Sequence, residues 1–216
     1  DGPYLPTNTT ATTITPQQTA AASGKTLTLS AVTGVNGGVG WLATDVGRIL
    51  KFNSGKAIIT ARTNATVAVA TITTAFTNTD ATAAFNLGAF SDTTGHPSCV
   101  SFFEQRLVFA GTTDEPQTLY FSKSGDYENM TTGTNADDAM VYTIASNQVN
   151  KIRYLKSVRT LLIGTTGGEF SVSADGTDAA VTPTNVTIKR QSSFGAANVD
   201  AQPAGNAVLF LQRAKR

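Results

Sequence analysis

Short apolar or alternating runs recur along this chain at intervals of roughly ten residues, each bounded by Gly, Asn, Asp, Ser or Pro. Thr26-Leu27-Thr28-Leu29 alternates cleanly, as do Thr66-Val67-Ala68-Val69 and Thr71-Ile72-Thr73. Threonine and valine branch at Cβ, which restricts χ1 and suits a pleated, half-buried surface better than a helix. The period of two therefore predicts β-strands along nearly the whole sequence. One helical turn is predicted, over Pro16-Gln17-Gln18-Thr19-Ala20-Ala21-Ala22 and closed by Gly24, too short to organise a fold. The expected fold class is all-β.

The pattern changes near residue 95. Residues 1–94 are rich in Thr and Ala, with long Gly/Asn loops such as Gly34-Val35-Asn36-Gly37-Gly38. Such a segment predicts a small β-sandwich or barrel. From Val100 onward the runs thicken: Val100-Ser101-Phe102-Phe103, Arg106-Leu107-Val108-Phe109, Thr118-Leu119-Tyr120-Phe121, Val141-Tyr142-Thr143-Ile144. Ile152-Arg153-Tyr154-Leu155, Leu161-Leu162-Ile163, Glu169-Phe170-Ser171-Val172, Val186-Thr187-Ile188 and Val208-Leu209-Phe210-Leu211 follow. Turn and breaker residues fill Thr93-Thr94-Gly95-His96-Pro97-Ser98, which sets the domain limit between 1–94 and 95–216. After residue 100 the strands fall into two groups of about four, near the length of one propeller blade each. Two blades close no ring, so 95–216 reads as an incomplete propeller-like domain, an open sheet or a sandwich. The first residue is Asp1 rather than Met and the last strand falls four residues before the end, so both ends read as cut from something longer.

Composition narrows the function classes. Lys plus Arg number 16 against 15 Asp plus Glu, a formal charge of +1, so no basic excess marks a free-standing nucleic-acid binder. Only 14% of residues are charged, little for a monomer that keeps its whole surface wet and suited to a protein packed against copies of itself. A single cysteine, Cys99, excludes an intrachain disulfide framework. There is no apolar run of about 20 residues, so no membrane span is expected.

Candidate chemistry is sparse. His96 and Cys99 could begin a zinc site, but structural zinc takes four ligands and the chain has no other His or Cys. As a nucleophile pair they are separated by Pro97 and lack an orienting third group. Asp137-Asp138 and Asp175-Gly176-Thr177-Asp178 offer carboxylates, yet neither matches the twelve-residue calcium loop, and Asp-Gly is first a hairpin turn. Gly164-Thr165-Thr166-Gly167-Gly168 lacks the Lys-Ser/Thr of a phosphate loop and precedes a strand, not a helix, so a hairpin connection is expected. Asn-X-Thr triplets at Asn8, Asn64, Asn129 and Asn185 are what chance yields in so Asn- and Thr-rich a chain. Lys189-Arg190 and Arg213, Lys215 and Arg216 read as wet basic faces without interleaved aromatics. No catalytic, cofactor-binding or metal-binding residue is assigned, no cofactor is expected, and the enzyme case is weak.

An ordered series of motifs begins at Gly95-His96-Pro97-Ser98. Arg106-Leu107-Val108-Phe109-Ala110-Gly111 follows, then Ser122-Lys123-Ser124-Gly125-Asp126-Tyr127-Glu128-Asn129 and Asp137-Asp138 through Ile144-Ala145-Ser146-Asn147-Gln148-Val149-Asn150-Lys151-Ile152. Leu162-Ile163-Gly164-Thr165, Gly168-Glu169-Phe170, Pro183-Thr184-Asn185-Val186, Gln191-Ser192-Ser193-Phe194-Gly195 and Phe210-Leu211-Gln212-Arg213 complete it. The series resembles the tail nozzle (tail tubular) proteins of short-tailed, podovirus-type bacteriophages. Asp1-Gly2-Pro3-Tyr4-Leu5-Pro6 and Asp45-Val46-Gly47-Arg48 resemble that family's upstream insert domain. His96 stands where the family has an aromatic, and Phe90 where it often has Trp.

The resemblance implies a propeller-like body with an inserted small β domain, six copies forming a tube below the portal and adaptor. A virion location follows, with tail fibres as further partners and double-stranded DNA passing through transiently. For single residues it suggests structural roles: Arg106 pairing locally or capping carbonyls, Asp126 and Asn129 hydrogen-bonding a turn, Tyr127 anchoring that turn on the core. The competing expectation is a carbohydrate- or receptor-binding β module, for which exposed aromatics beside Asp and Asn are required and Trp41 is the one tryptophan. A polysaccharide depolymerase would need two carboxylates about 5–10 Å apart. Asp137, Asp138 and Glu169 are the candidates for it.

Overall fold

The computed structural model describes residues 15–16, 24, 26–30, 35–78, 80, 82, 85–146, 149–176, 179–205 and 207–213. It is all-β, with antiparallel sheets and short 3-10 turns as its only helical elements among the described residues. Two compact units divide between Thr94 and Gly95.

The first unit is one six-stranded antiparallel sheet. Its strands are β1 (Thr15–Pro16), β2 (Thr26–Ser30), β3 (Ile49–Phe52), β4 (Gly55–Arg62), β5 (Ala68–Thr74) and β6 (Asn86–Leu87), in the order β1-β2-β5-β4-β3-β6. The expectation of an all-β unit is met. There is one sheet rather than two, and β1 and β6 stand at its edges without pairing to each other among the described residues. Thr/apolar alternation explains why one face suffices. Leu27, Leu29, Leu50, Phe52, Ile59 and Ile72 point to a single core, with Thr, Lys and the apolar Ile49, Ile58 and Val69 on the other side. Trp41, Val35, Phe76 and Phe85 come from loops and cover that core face. A bulge where β4 pairs with β5, between Ile59 and Ala61, adds local twist. The Gly34–Gly38 loop contains a 3-10 turn at Val35–Gly38, and a second lies at Ala43–Asp45. Of the predicted helical turn, Pro16 lies in a strand, and 17–23 fall outside the described residues.

The second unit contains two four-stranded meanders. The first runs β7 (Cys99–Phe103), β8 (Arg106–Ala110), β9 (Thr118–Phe121) and β10 (Met140–Thr143). The second runs β11 (Ile152–Ser157), β12 (Leu161–Thr165), β13 (Gly168–Ala174) and β14 (Val186–Ser192). In each, every strand pairs antiparallel with its sequence neighbour. The meanders pack face to face through one buried cluster that includes Val108, Leu119, Phe121, Leu161, Ile163 and Phe170, with β7 beside β11.

A third, smaller layer closes the described chain. β15 (Gln202–Ala204) pairs with β16 (Ala207–Leu209), and Ala196 bridges to Gln212. Ala196, Ala201, Val208 and Phe210 pack on Tyr154, which a register shift in β11 turns to the second sheet's other face. Gly164 on β12 seats the Tyr154 ring, which lies where any Cβ at that position would have to go. The glycine run predicted as a connection therefore splits: Thr166-Gly167 is the hairpin turn, while Gly164 is a strand residue under an aromatic ring.

Candidate functional site

Two buried arginines organise the polar interiors. In the first unit Asp45 and Arg48 are both 1% exposed and pair at 3.1 Å. The Asp45 carboxylate also accepts from Asn36 Nδ2 at 2.7 Å, Leu42 N–H at 2.8 Å and the Thr93 hydroxyl at 2.8 Å. Arg48 Nε donates to Gly88 O at 2.7 Å. The Asp45-Val46-Gly47-Arg48 motif is thus an internal clamp that ties the 3-10 turn at Ala43–Asp45 to β3 and to the segment before the unit boundary.

Arg106 in the second unit is 2% exposed and caps main-chain carbonyls. Nη1 donates to Ser122 O at 2.8 Å and Asp138 O at 2.7 Å, with Asp137 O at 3.3 Å, and Nη2 donates to Ala136 O at 2.6 Å. Burial pulls its guanidinium below the ordinary value, against the opposing charges of Asp137, Glu104 and Asp138. Of the two sequence expectations for Arg106, carbonyl capping is the one that forms.

Two of the candidate carboxylates, Asp137 and Asp138, share the Lys123 ammonium at 2.9 and 3.9 Å, while Glu169 lies apart from them. Asp137 is exposed and ion-pairs with Lys123 Nζ at 2.9 Å, which holds its carboxyl below the ordinary aspartate value and raises the Lys123 ammonium. Asp138 accepts from Asn135 N–H at 2.9 Å, closing its own loop. Glu169 lies on β13 in the other sheet, on the face opposite Phe170 and Val172, which enter the core shared with the first sheet. Its residue is 8% exposed, Oε2 accepts from the Ser192 hydroxyl, and Oε1 has no hydrogen-bond partner among the described residues. Burial, with the Glu169 charge in second place, pushes the Tyr154 phenol up to about 12. A cleft of about 510 Å³ opens where β10 and β14 approach, lined by Thr143, Ser146, Asn150, Phe170, Ile188 and Arg190. None of the three candidate acids is in that lining.

The remaining candidates are local structure. Cys99 is buried, and desolvation pushes its thiol up, away from the thiolate a nucleophile or metal ligand needs. His96 is exposed, and no group of three or more His, Cys, Asp or Glu side chains that could hold a metal forms among the described residues. Asp175 and Gly176 form an exposed bend; Thr177 and Asp178 lie outside the described residues. The Asn-X-Thr triplets have a use that sequence reading missed. Asn64 Oδ1 accepts from Thr66 N–H at 2.9 Å, and Asn129 Oδ1 from Thr131 N–H at 3.0 Å, each an Asx turn built on the triplet itself. Asn185 Oδ1 accepts from Thr182 N–H instead, and Asn8 lies outside the described residues. Lys189, Arg190 and Arg213 are exposed, Arg190 donating to Gly167 O at 2.8 Å; Lys215 and Arg216 lie outside the described residues. Trp41 is fully buried, so it offers no sugar platform.

The Ser122–Asn129 motif forms a turn tied by Lys123 N–H to Asn129 O at 2.8 Å. Asp126 enters through its main chain, donating to Lys123 O and accepting from Asn129 N–H. Tyr127 corrects its expectation: it is 44% exposed and does not reach the core. Its ring meets Phe102 edge-on at 5.2 Å, and Phe102 is itself 61% exposed. These two rings belong to a larger surface. Val100, Phe109, Tyr120 and Val141 are successive cross-strand partners on the outer face of the first sheet, with Phe102 and Leu107 in the next row. Tyr120 is buried within that face, while Val100, Phe102 and Val141 are exposed. This apolar face is the candidate functional surface of the unit. The sequence signal for it was the near-continuous apolar run in β8 and β9, which belongs to strands covered on both faces.

No family model matches the chain, and no curated protein matches it.

Proposed function

We propose that this chain is a virion structural protein, part of an oligomeric tail nozzle through which a short-tailed bacteriophage ejects its genome. One observation carries the reading: the second unit is a series of four-stranded meanders whose first sheet has an apolar outer face with Val100, Phe102 and Val141 exposed. A sheet apolar on both sides is built to be packed on both sides. The ordered motifs behind the resemblance also fall on scaffolding. They supply the Asp45–Arg48 clamp, the Arg106 cap, the Ser122–Asn129 turn and the Gly164 seat for Tyr154. Serial meanders with β7 beside β11 agree with neighbouring blades of a propeller, whose further blades would lie in additional sequence or in other copies. A formal charge of +1 suits a conduit that does not hold DNA, since each phosphate contact adds affinity that passage must break. Portal, adaptor and tail-fibre proteins are the partners this role requires. Sedimentation and electron microscopy of the purified protein test it: rings with an open centre support the conduit, and a monomer at tens of micromolar overturns it.

A second reading has its own observation. Phe102 and Tyr127 are exposed aromatics beside Asp126 and Asn129, the combination a carbohydrate-binding module displays. Glycan titration of a monomeric protein, abolished by Tyr127→Ala, would favour that module over the conduit.

A further inference from the structure

The cleft of about 510 Å³ where β10 and β14 approach is the open end of the core shared by the two meanders. Ile144 and Phe170 belong to that core and Ile188 packs against it, so part of the lining is apolar. Phe170 and Arg190 are cross-strand partners, with Val172 and Ile188 the next pair on the same face. Arg190 therefore stands at the cleft beside an apolar row. The volume falls within the range of about 300–1,000 Å³ that small organic molecules occupy.

Arg190 is the one ionisable residue in the lining. Nε donates to Ser192 O at 3.1 Å and Nη2 to Gly167 O at 2.8 Å, while Nη1 makes no hydrogen bond among the described residues. Both acceptors are neutral carbonyls, so they fix the guanidinium plane without cancelling its charge. The pair Gly167-Gly168 makes room for this arrangement. A Cβ on Gly168 would come within 3.0 Å of Arg190 Nε and 3.1 Å of Nη2. A Cβ on Gly167 would fall on the carboxamide of Asn150, a residue 7% exposed that donates through Nδ2 to the Ser146 hydroxyl at 2.9 Å. The two glycines thus seat a guanidinium and a carboxamide, both against Gly167. Polar groups fixed in advance lose less entropy when they grip a ligand.

We infer that this cleft binds a carboxylate carried on a slim apolar body. Nη1 of Arg190 takes the carboxylate in a charge-assisted hydrogen bond, and the body lies along Phe170, Ile188 and Ile144. A single guanidinium matches the single charge of a carboxylate. Inorganic phosphate has no apolar part for the lining to cover. The inference goes beyond the assembly reading and holds in any oligomeric state. A free organic acid and the acidic side chain of a partner segment present the same chemistry.

Saturation-transfer NMR on the protein in its native assembly tests it, with 3-phenylpropionate as the probe. The probe should bind, and the uncharged 3-phenylpropionamide and inorganic phosphate should each bind at least roughly tenfold more weakly. Arg190→Gln, at an exposed position, should weaken the probe by a similar factor. Gly168→Ala keeps the charge but displaces the guanidinium, and should also weaken binding; circular dichroism checks that each variant keeps its fold. Arg190→Gln decides alone if Gly168→Ala does not fold. Displacement of the bound probe by a capped tripeptide with a central glutamate assigns the site to a partner's side chain, and no displacement assigns it to a free acid. Equal binding of acid and amide, phosphate as tight as the acid, or unchanged affinity in either folded variant overturns the inference. So does a lack of binding at ~10 mM 3-phenylpropionate. None of these results bears on whether the chain forms rings.

Discussion

Each unit buries one arginine, and the two are satisfied by opposite means. Arg48 meets a carboxylate that is itself held by Asn36, Leu42 and Thr93, so charge is neutralised inside the sheet's cover. Arg106 meets carbonyls, three of them from the single loop 136–138, and its nearby acids stay at the surface. The surrounding cores differ in the same sense. The first unit uses one sheet with Ala57, Ala68 and Ala70 in its buried rows, and its other face mixes Thr and Lys with Ile49, Ile58 and Val69. The second uses strands apolar on both faces and stacks them. A unit of the first kind keeps its large side chains on one side and smaller, more polar rows on the other. A unit of the second kind calls for another layer.

Trp41→Ala is the most damaging change expected, at about 3–5 kcal/mol, because the largest fully buried side chain covers a core otherwise rich in alanine. Two-step unfolding in denaturant, with only the first unit's step shifted, would show the units to be separately stable; a common shift would break the comparison. The arginines should separate next. Arg48→Ala leaves a buried carboxylate behind and should cost about 3–5 kcal/mol. Arg106→Ala leaves neutral carbonyls rather than a charge, the Ser122 carbonyl among them buried, at about 2–3 kcal/mol. Equal losses would show that neutralisation is not what distinguishes them. Gly164→Ala pushes the Tyr154 ring from its seat and should cost about 1–3 kcal/mol, with a change in near-ultraviolet dichroism from that tyrosine.

A gain is expected at the tight turn between β3 and β4. Asn53 and Ser54 have φ of 42° and 58°, the left-handed region, and Asn-Gly is the favoured pair for such a two-residue hairpin. Ser54→Gly should stabilise the first unit by about 0.5 kcal/mol, measured as a small rise in its denaturant midpoint. The smallest effect concerns Asp137. Its carboxyl is depressed by Lys123, so the pair favours the fold above the ordinary aspartate pKa and loses that contribution as pH falls through the lowered value. Lys123→Gln should move the Asp137 carbon-13 titration midpoint upward; an unchanged midpoint would dismiss the ion pair.

Strand identity was legible wherever one rule acted alone. Thr26-Leu27-Thr28-Leu29 gave its alternation directly, and the thick runs from Val100 to Val172 gave their strands to within a few residues. β15 was missed because Pro203 sits in its middle, which is tolerable on so short a strand at an edge but reads as a breaker in sequence. Tyr127 was misplaced because ring size argues for burial while its turn projects from the sheet edge towards Phe102. The burial of Asp45 and Arg48 was hidden for a different reason. Nothing in Asp45-Val46-Gly47-Arg48 distinguishes a wet turn from a buried clamp until Asn36 and Thr93 arrive from distant positions. Local alternation is a property of neighbours in sequence; these contacts are not.

The strand order of each unit also sets how its chain finds its structure. In the second unit every sheet partner is the next strand along, so each hairpin can close before the following one exists. In the first, Leu27 on β2 waits for Ala70 on β5, with β3 and β4 lying between them in sequence. Closing that loop costs entropy before any β2–β5 contact returns it. The meanders should therefore form promptly from local pairings, while the first unit, although it precedes them along the chain, is the slower of the two to fold.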